Sequence, residues 1–352
     1  MRVEKLQAKL KEQNLDALMV TNPFNLRYVS HFTGTAGLAV LTQEKAFFIT
    51  DFRYTEQANE QAKGFEIIRN IGSIYEEVAK LVKSENIERL GFEQDVISYA
   101  TFTNLEEIIK CELVPVSGFV ESLREIKDQE EIDVIQQAIK ITEAAYQHIL
   151  KEIKPGMTEL EVANKLDFFM REQGASSVSF DTIVASGVRS ALPHGVASDK
   201  VIEHGDMITI DFGCYYNGYV SDMTRTFALG DPGEKLKEVY EIVREAHARV
   251  NSAVKAGMTG AEVDAIARDY ITEKGYGEAF GHSTGHGIGL EVHEGPSISF
   301  KNDKKLVPGN AITNEPGIYL PGIGGVRIED DLLITEDGNK NLMSLPTDLI
   351  IL

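Results

Sequence analysis

Carboxylates at a spacing that could hold metal stand in DFGCYYNGYVSDMTRT, residues 211–226. The segment follows the apolar run MITI and turns on Asn217-Gly218, the dipeptide best suited to a two-residue hairpin loop. Two antiparallel strands are therefore predicted. Alternation puts Thr209, Asp211 and Gly213 on one face and Ile208, Ile210 and Phe212 on the other. With the turn at Asn217-Gly218, Asp211 lies opposite Thr224, and Asp222 is its diagonal neighbour on the same face. Two carboxylates aimed into one space raise each other's pKa unless a positive group sits between them.

An internal repeat doubles the set. KPGMTELEVANKLDFFMREQG, from Lys154, matches KAGMTGAEVDAIARDYITEKG, from Lys255. In both, Thr158 with Glu161 and Thr259 with Glu262 form the spacing of a capping box, which serves local helix stability. The echo continues where GDMITIDFGCYY, from Gly205, aligns with GNAITNEPGIYL, from Gly309. Asp211 then matches Glu315, Gly213 matches Gly317 and Tyr215 matches Tyr319. Asp222 has a rough counterpart in Glu329 of VRIED. The expectation is a pseudo-twofold domain with two facing hairpins and four carboxylates at their seam. Such a cluster is severely destabilising without cations. Two divalent ions about 3.5–4 Å apart would neutralise it and make a nucleophile available at neutral pH.

A remaining ligand should be one of the eight histidines. Five occupy suggestive contexts: His194 in LPHG, His204 in EHGD, His282 and His286 in GHSTGHG, and His293 in EVHEG. His31, His148 and His247 sit in helical or N-terminal contexts and read as surface or satisfied core, as does His204 in its polar turn. HSTGH has the spacing of a helical zinc pair, but glycines at 281, 285, 287 and 289 argue for a loop that delivers single histidines.

The elements that must position these groups fall in the second part of the chain. Before it, helical and strand-like segments alternate: DALMV, GLAVLT, KAFFIT, FEIIRN, RLGFE and ELVPV as strands, with helices at the N-terminus and over SIYEEVAKLVKSEN and YATFTNLEEIIK. The pattern changes near Leu123 to LREIKDQEEIDVIQQAIKITEAAYQHILKEI, a long amphipathic helix, so the expected domains are residues 1–124 and 125–352. A chain of 352 residues, 43% hydrophobic and 26% charged, can bury two cores. Its net charge of −20 repels phosphate backbones, which excludes nucleic acid as the expected partner. Cys111 and Cys214 form no spaced motif and fit buried thiols in a reducing compartment. The N-terminus carries charges throughout, and no run approaches the ~18 apolar residues of a membrane helix, so a cytoplasmic protein is expected.

DFGCYYNGYVSDMTRT, HSTGHGIGLEVHEG, NEPGIYLP and GGVRIED resemble the motifs of the Xaa-Pro peptidases. These are the aminopeptidase P and prolidase members of the creatinase and methionine-aminopeptidase fold, called pita-bread. FTGTAG and TDFRYTEQA resemble the family's N-terminal domain, so the likeness covers the whole chain. It implies an α+β chain: a pita-bread catalytic domain with an internal pseudo-twofold, preceded by a smaller creatinase-like α/β domain. By position it implies metal ligation by Asp211, Asp222, His286, Glu315 and Glu329, with Asp222 and Glu329 bridging. His194, His282 and His293 match its catalytic histidines, Glu315 doubles as proton shuttle, and Tyr319 and Arg327 match its substrate-orienting positions.

No ligand position departs from the family pattern, which argues against a metal-free creatinase-like activity and against a silent peptide-binding protein. The resemblance also implies a homodimer or tetramer. With oxygen-rich ligands and one imidazole, Mn²⁺ is the expected metal, with Co²⁺ or Zn²⁺ able to substitute. The expected activity is release of the N-terminal residue from peptides with proline in second position, as an Xaa-Pro aminopeptidase. The alternative is an Xaa-Pro dipeptidase, which needs a cation for the proline carboxylate, and none is identifiable in the sequence.

Overall fold

A computed structural model describes residues 2–352, which divide into two compact units, one ending at Arg124 and the other spanning Glu125–Leu352. The first unit runs α1 (Arg2–Glu12), β1 (Ala17–Val20), α2 (Pro23–Ser30), β2 (Leu38–Thr42), β3 (Ala46–Thr50), α3 (Thr55–Gln61) and β4 (Glu66–Arg69). It continues through α4 (Ile74–Ser84), β5 (Arg89–Glu93), α5 (Tyr99–Ile108), β6 (Glu112–Val116) and α6 (Glu121–Arg124). All six segments read as strands join one mixed sheet, in the order β4-β3-β2-β1-β5-β6. The central strands β1, β2 and β3 are buried at every residue, which is why they read as unbroken apolar runs. Helices α2 and α3 went unread. In α3 the sequence TEQANEQ buries only Ala58, so it has no apolar stripe to detect.

The second unit opens with α7 (Gln129–Glu152) and α8 (Glu159–Glu172), followed by strands β7 (Ser177–Val178), β8 (Ile183–Ser186), β9 (Asp206–Phe212), β10 (Cys214–Tyr216), β11 (Tyr219–Val220) and β12 (Met223–Leu229). Then come α9 (Glu234–Ala253), α10 (Gly260–Glu273), β13 (Gly285–Gly287) and β14 (Glu294–Ile298). The chain closes with β15 (Ala311–Asn314), β16 (Gly317–Leu320), β17 (Gly324–Arg327), β18 (Asp330–Ile334) and β19 (Asn339–Asn341). The long helix starts later than its apolar pattern implies, because Asp128 and Glu131 close a capping box that makes Gln129 its first residue.

The repeat is structural as well as sequential. Thr158 and Thr259 each cap their helix with a complete box to Glu161 and Glu262. Each also makes an isolated antiparallel bridge, Thr158 to Val201 and Thr259 to Lys305. Helices α9 and α10 cover one core with Val239, Val243, Val263 and Ala267, against Ile312, Val326 and Leu332 from the second-half strands.

Asp211 pairs with Thr224 across β9 and β12, as the turn position requires. The same register continues through β10 and β11 to Tyr216 opposite Tyr219, around Asn217 and Gly218 at φ 47° and 83°. Between the two ladders the ribbon pinches, and a Cβ at Gly213 would overlap the Ser221 carbonyl. The second hairpin has the same plan. Asn314 faces Asp330 across β15 and β18, and Gly317 faces Arg327 across β16 and β17, so the register carries Glu315 opposite Glu329. This corrects one detail of the expected symmetry. Glu329 occupies the place that Thr224 holds in the first hairpin, and Arg327 takes the place of Asp222. The outgoing strands align in sequence, but the loop between Leu320 and Gly324 holds three residues against two between Tyr216 and Tyr219, and the expected match of Asp222 with Glu329 lies two residues beyond the paired position. No helix among the described residues is long and apolar enough to cross a membrane.

Candidate metal centre

Asp211, Asp222, His286, Glu315 and Glu329 all line one cavity of about 700 Å³ in the second unit. Asp211 comes from β9 and His286 from the middle of β13; Asp222, Glu315 and Glu329 come from the short breaks where each hairpin passes from one ladder to the next. His194, His282, His293 and Arg327 line the same cavity. His286 lies in a short strand instead of a loop, and Gly285 lets that strand close onto β15, since a Cβ there would strike the Thr313 carbonyl.

The imidazole of His286 shows what the cluster is built for. Its Nδ1 lies 3.1 Å from the Gly287 carbonyl, an acceptor only, so the proton belongs on Nδ1 and Nε2 presents a lone pair. That lone pair faces Glu315 Oε1 at 3.4 Å and Asp222 Oδ2 at 3.6 Å. Burial holds the ring near a pKa of about 4, with His293 adding to the shift, so it is neutral at pH 7. A lone pair directed at carboxylate oxygens is repulsive unless a cation lies between them. Ligand atoms of Asp222, His286 and Glu329 all fall within 4.8 Å of one another. Asp211 Oδ1 and Glu329 Oε1 are buried without a hydrogen-bond partner, as donor atoms awaiting an ion would be. Burial, then the Glu329 and Asp211 charges, pushes Asp222 well above the carboxylate range. Burial, then Glu315 and Asp211, does the same to Glu329. Glu315 rises to about 8 through burial and Asp211, against the pull of Arg327. The residues present fit divalent metal.

A polar relay supports the cluster from one side. Arg327 Nη2 donates to Asp211 Oδ2 at 2.6 Å, and Nη1 donates to the Tyr319 hydroxyl at 2.7 Å. His282 Nδ1 lies 2.8 Å from the Ser283 carbonyl and so carries the proton, leaving Nε2 to accept from the Tyr319 hydroxyl at 2.8 Å. Burial, with Arg327 second, lowers His282 to about 4 and keeps it neutral.

Residues 133–336 match metallopeptidase family M24, and residues 2–126 match the creatinase/prolidase N-terminal domain. The chain belongs to metallopeptidase family M24. It is similar to a solved Xaa-Pro dipeptidase from Bacillus anthracis, at 56% identity and TM-score 0.98, covering 100% of this chain and 99% of that one. It is 43% identical to the Xaa-Pro dipeptidase of Pyrococcus furiosus over 99% of each chain. A solved X-Pro aminopeptidase from Thermotoga maritima matches at 42% identity and TM-score 0.92, over 98% of this chain and 100% of that one. As an M24 metallopeptidase the chain is an enzyme that works with divalent metal ions.

The histidines set aside lie elsewhere in this metallopeptidase. His148 stacks on Phe169 at 4.4 Å, exposed His204 lies beside Gly230, and buried His247 sits 3.3 Å from Asp330. His31 caps α2 in the first unit. Three supporting side chains escaped sequence reasoning. Thr224 donates to Glu329 Oε2 at 2.7 Å and accepts from Arg327 Nε at 3.1 Å. Thr313 sits 3.4 Å from Glu315 Oε1, and Asp331 accepts the Asp222 backbone N–H at 3.3 Å. The i, i+2 spacing of Thr313 with Glu315 and of Glu329 with Asp331 was the available signal, since such pairs share a strand face.

Proposed function

We propose that this metallopeptidase is an Xaa-Pro dipeptidase, cleaving the bond before a C-terminal proline. The observation that carries a hydrolytic site is the convergence of five ligand-type side chains and three histidines on one cavity. The dipeptide reading draws on relatives from B. anthracis and P. furiosus that bear that name, and it takes the alternative in place of the Xaa-Pro aminopeptidase expected from sequence. When bound, the divalent ions supply Lewis acidity and acidify water, and Mn²⁺ suits four carboxylates with one imidazole. The chain's own residues do the rest. Glu315 takes the proton of the attacking water and passes it to the proline nitrogen, which has no hydrogen of its own and leaves as a secondary amine. His194 and His293 donate to the developing oxyanion, while the Arg327–Tyr319–His282 relay holds the His282 edge of the substrate site. Phe180, Ile183, Val196 and Val292 give the cavity an apolar wall for the pyrrolidine ring.

One observation favours the second reading, an Xaa-Pro aminopeptidase. Among the described residues lining the cavity, the sole lysine or arginine is Arg327, already engaged by Asp211 and Tyr319. A dipeptide carboxylate would have to share that guanidinium or use the imidazoles. Comparing kcat/KM for Ala-Pro and Ala-Pro-Ala with Mn²⁺ supplied decides between them. Faster cleavage of Ala-Pro is the expected outcome, and preference for the tripeptide would establish the aminopeptidase.

A further inference from the structure

Glu159 is the first residue of α8, and its side chain is fully buried although it is not among the cavity's lining residues. Capping does not explain it, because Thr158 and Glu161 already complete the box. A buried carboxylate persists only where donors fill its lone pairs, and five do so here. Oε1 accepts from the Ser186 backbone N–H at 2.8 Å and the Ser186 hydroxyl at 2.9 Å. Oε2 accepts from the Ser198 N–H at 3.1 Å, the Ser198 hydroxyl at 2.6 Å and Arg189 Nε at 3.2 Å. Arg189 in turn donates through Nη2 to the Val196 carbonyl at 2.8 Å. These contacts close both ends of one segment, residues 187–197, whose Pro193, His194 and Val196 line the cavity.

The second half repeats the device from positions that do not align in sequence. Asp264 on α10, also buried, accepts from the Thr284 N–H and hydroxyl at 3.0 and 2.9 Å and from Arg268 Nε at 2.6 Å. Arg268 then donates to the Phe280 carbonyl at 2.9 Å and to the His282 carbonyl at 2.7 Å. In each half, the helix that follows the repeated GMT turn presents a buried carboxylate which, with an arginine, grips the segment bearing a cavity histidine. Its appearance twice, from unmatched residues, points to a requirement of the histidines rather than an inherited detail of the helix.

We propose that Glu159 is a positioning residue for the reaction, fixing where His194 stands in the cavity, as Asp264 does for His282. The proposal rests on reading His194 as a substrate-side group. Glu159 is the cleaner probe, since its segment carries no metal ligand, whereas the Thr284 carbonyl accepts from the backbone N–H of Glu315. Glu159→Gln keeps the volume but turns one acceptor into a donor facing other donors, which opens one end of the segment.

The experiment is a double-mutant cycle of Glu159→Gln with His194→Ala, read as kcat/KM, with metal content measured on every variant. Glu159→Gln should lower kcat/KM by about 10–100-fold at full metal load, the scale of an ångström-level misplacement. In the His194→Ala background the same substitution should cost less than about 2-fold, because its effect passes through the missing imidazole. Independent losses would overturn the proposal while leaving the role of His194 intact. A His194→Ala enzyme with undiminished kcat/KM would remove both, and loss of metal from Glu159→Gln would show a structural effect instead. Should Glu159→Gln not fold, Ser198→Ala takes one of the five donors away. A smaller loss of the same kind, vanishing on the His194→Ala background, is expected, and an additive loss overturns the proposal.

Discussion

At the scale of residues, the cavity separates groups that would hold metal from groups that would meet substrate, and the two make different demands on metal content. Asp222 lies against both His286 and Glu329, so Asp222→Ala should empty at least one ion site. His194 lines the cavity with no place in that cluster, so His194→Ala should keep its metal while losing about 10²–10³ in kcat, the usual cost of one transition-state donor. Elemental analysis beside steady-state kinetics checks both, and a metal-depleted His194→Ala would make His194 a ligand. Thr224 offers a subtler case. It holds Glu329 Oε2 and Arg327 Nε at once, so Thr224→Val strips a partner from each at constant shape. Metal affinity should fall by about 10–100-fold, as for other residues that orient ligands, measurable by titrating metal back into chelated enzyme.

At the scale of elements, the hairpins matter because their ladders break where three of the four carboxylates sit, Asp211 alone lying within a paired strand. Asp222 lies between β11 and β12, and Glu315 and Glu329 lie between the ladders of the second hairpin. A residue at such a break is free of ladder pairing and can direct its side chain into the seam. Gly213 makes the first break possible by admitting the Ser221 carbonyl where a Cβ would be. Gly213→Ala should therefore destabilise the second unit by about 3 kcal/mol and weaken metal retention together. Urea unfolding of holoenzyme and elemental analysis read the two effects, and a variant with wild-type stability would show that the pinch tolerates a methyl group. The register of the first hairpin was legible because Asn-Gly fixes its turn. The second hairpin has no such dipeptide, and the two-residue slip between Asp222 and Glu329 followed from that.

At the scale of the whole molecule, four carboxylates and a neutral imidazole gathered in one buried cavity make the folded state depend on its ions. Burial and mutual repulsion raise Asp222, Glu315 and Glu329 above the carboxylate range, so without cations the cluster is costly to keep ionised at neutral pH. Each ion supplied at about 1,000 times its Kd contributes roughly 4 kcal/mol to the folded state, which for a unit of this size corresponds to a melting shift on the order of 10 °C per ion. Chelation should lower Tm by that scale and abolish turnover, with recovery on adding Mn²⁺. Calorimetry and activity on one chelated sample provide the check, and unchanged melting with full turnover would contradict a metal-dependent site.

The amino-acid sequence alone determined the strands of the first unit, the repeated helix starts and the hairpin bearing Asp211 and Asp222. Each of these is written in local chemistry: apolar runs, capping-box spacing and an Asn-Gly turn. It also carried Glu315, because the outgoing strands of the repeat align, and motif resemblance singled out His286 among five plausible histidines. Only the tertiary structure decided that Glu315 faces Glu329 and that Thr224 stands in Glu329's place in the first hairpin. It alone showed the His286 lone pair aimed at carboxylates, and the grip of Glu159 and Asp264 on the histidine segments. Those facts depend on contacts between residues far apart in the chain, from Glu159 and Ser198 to Thr224 and Glu329. No local propensity encodes such pairs; they exist once the two halves have packed and the buried carboxylates have found their donors.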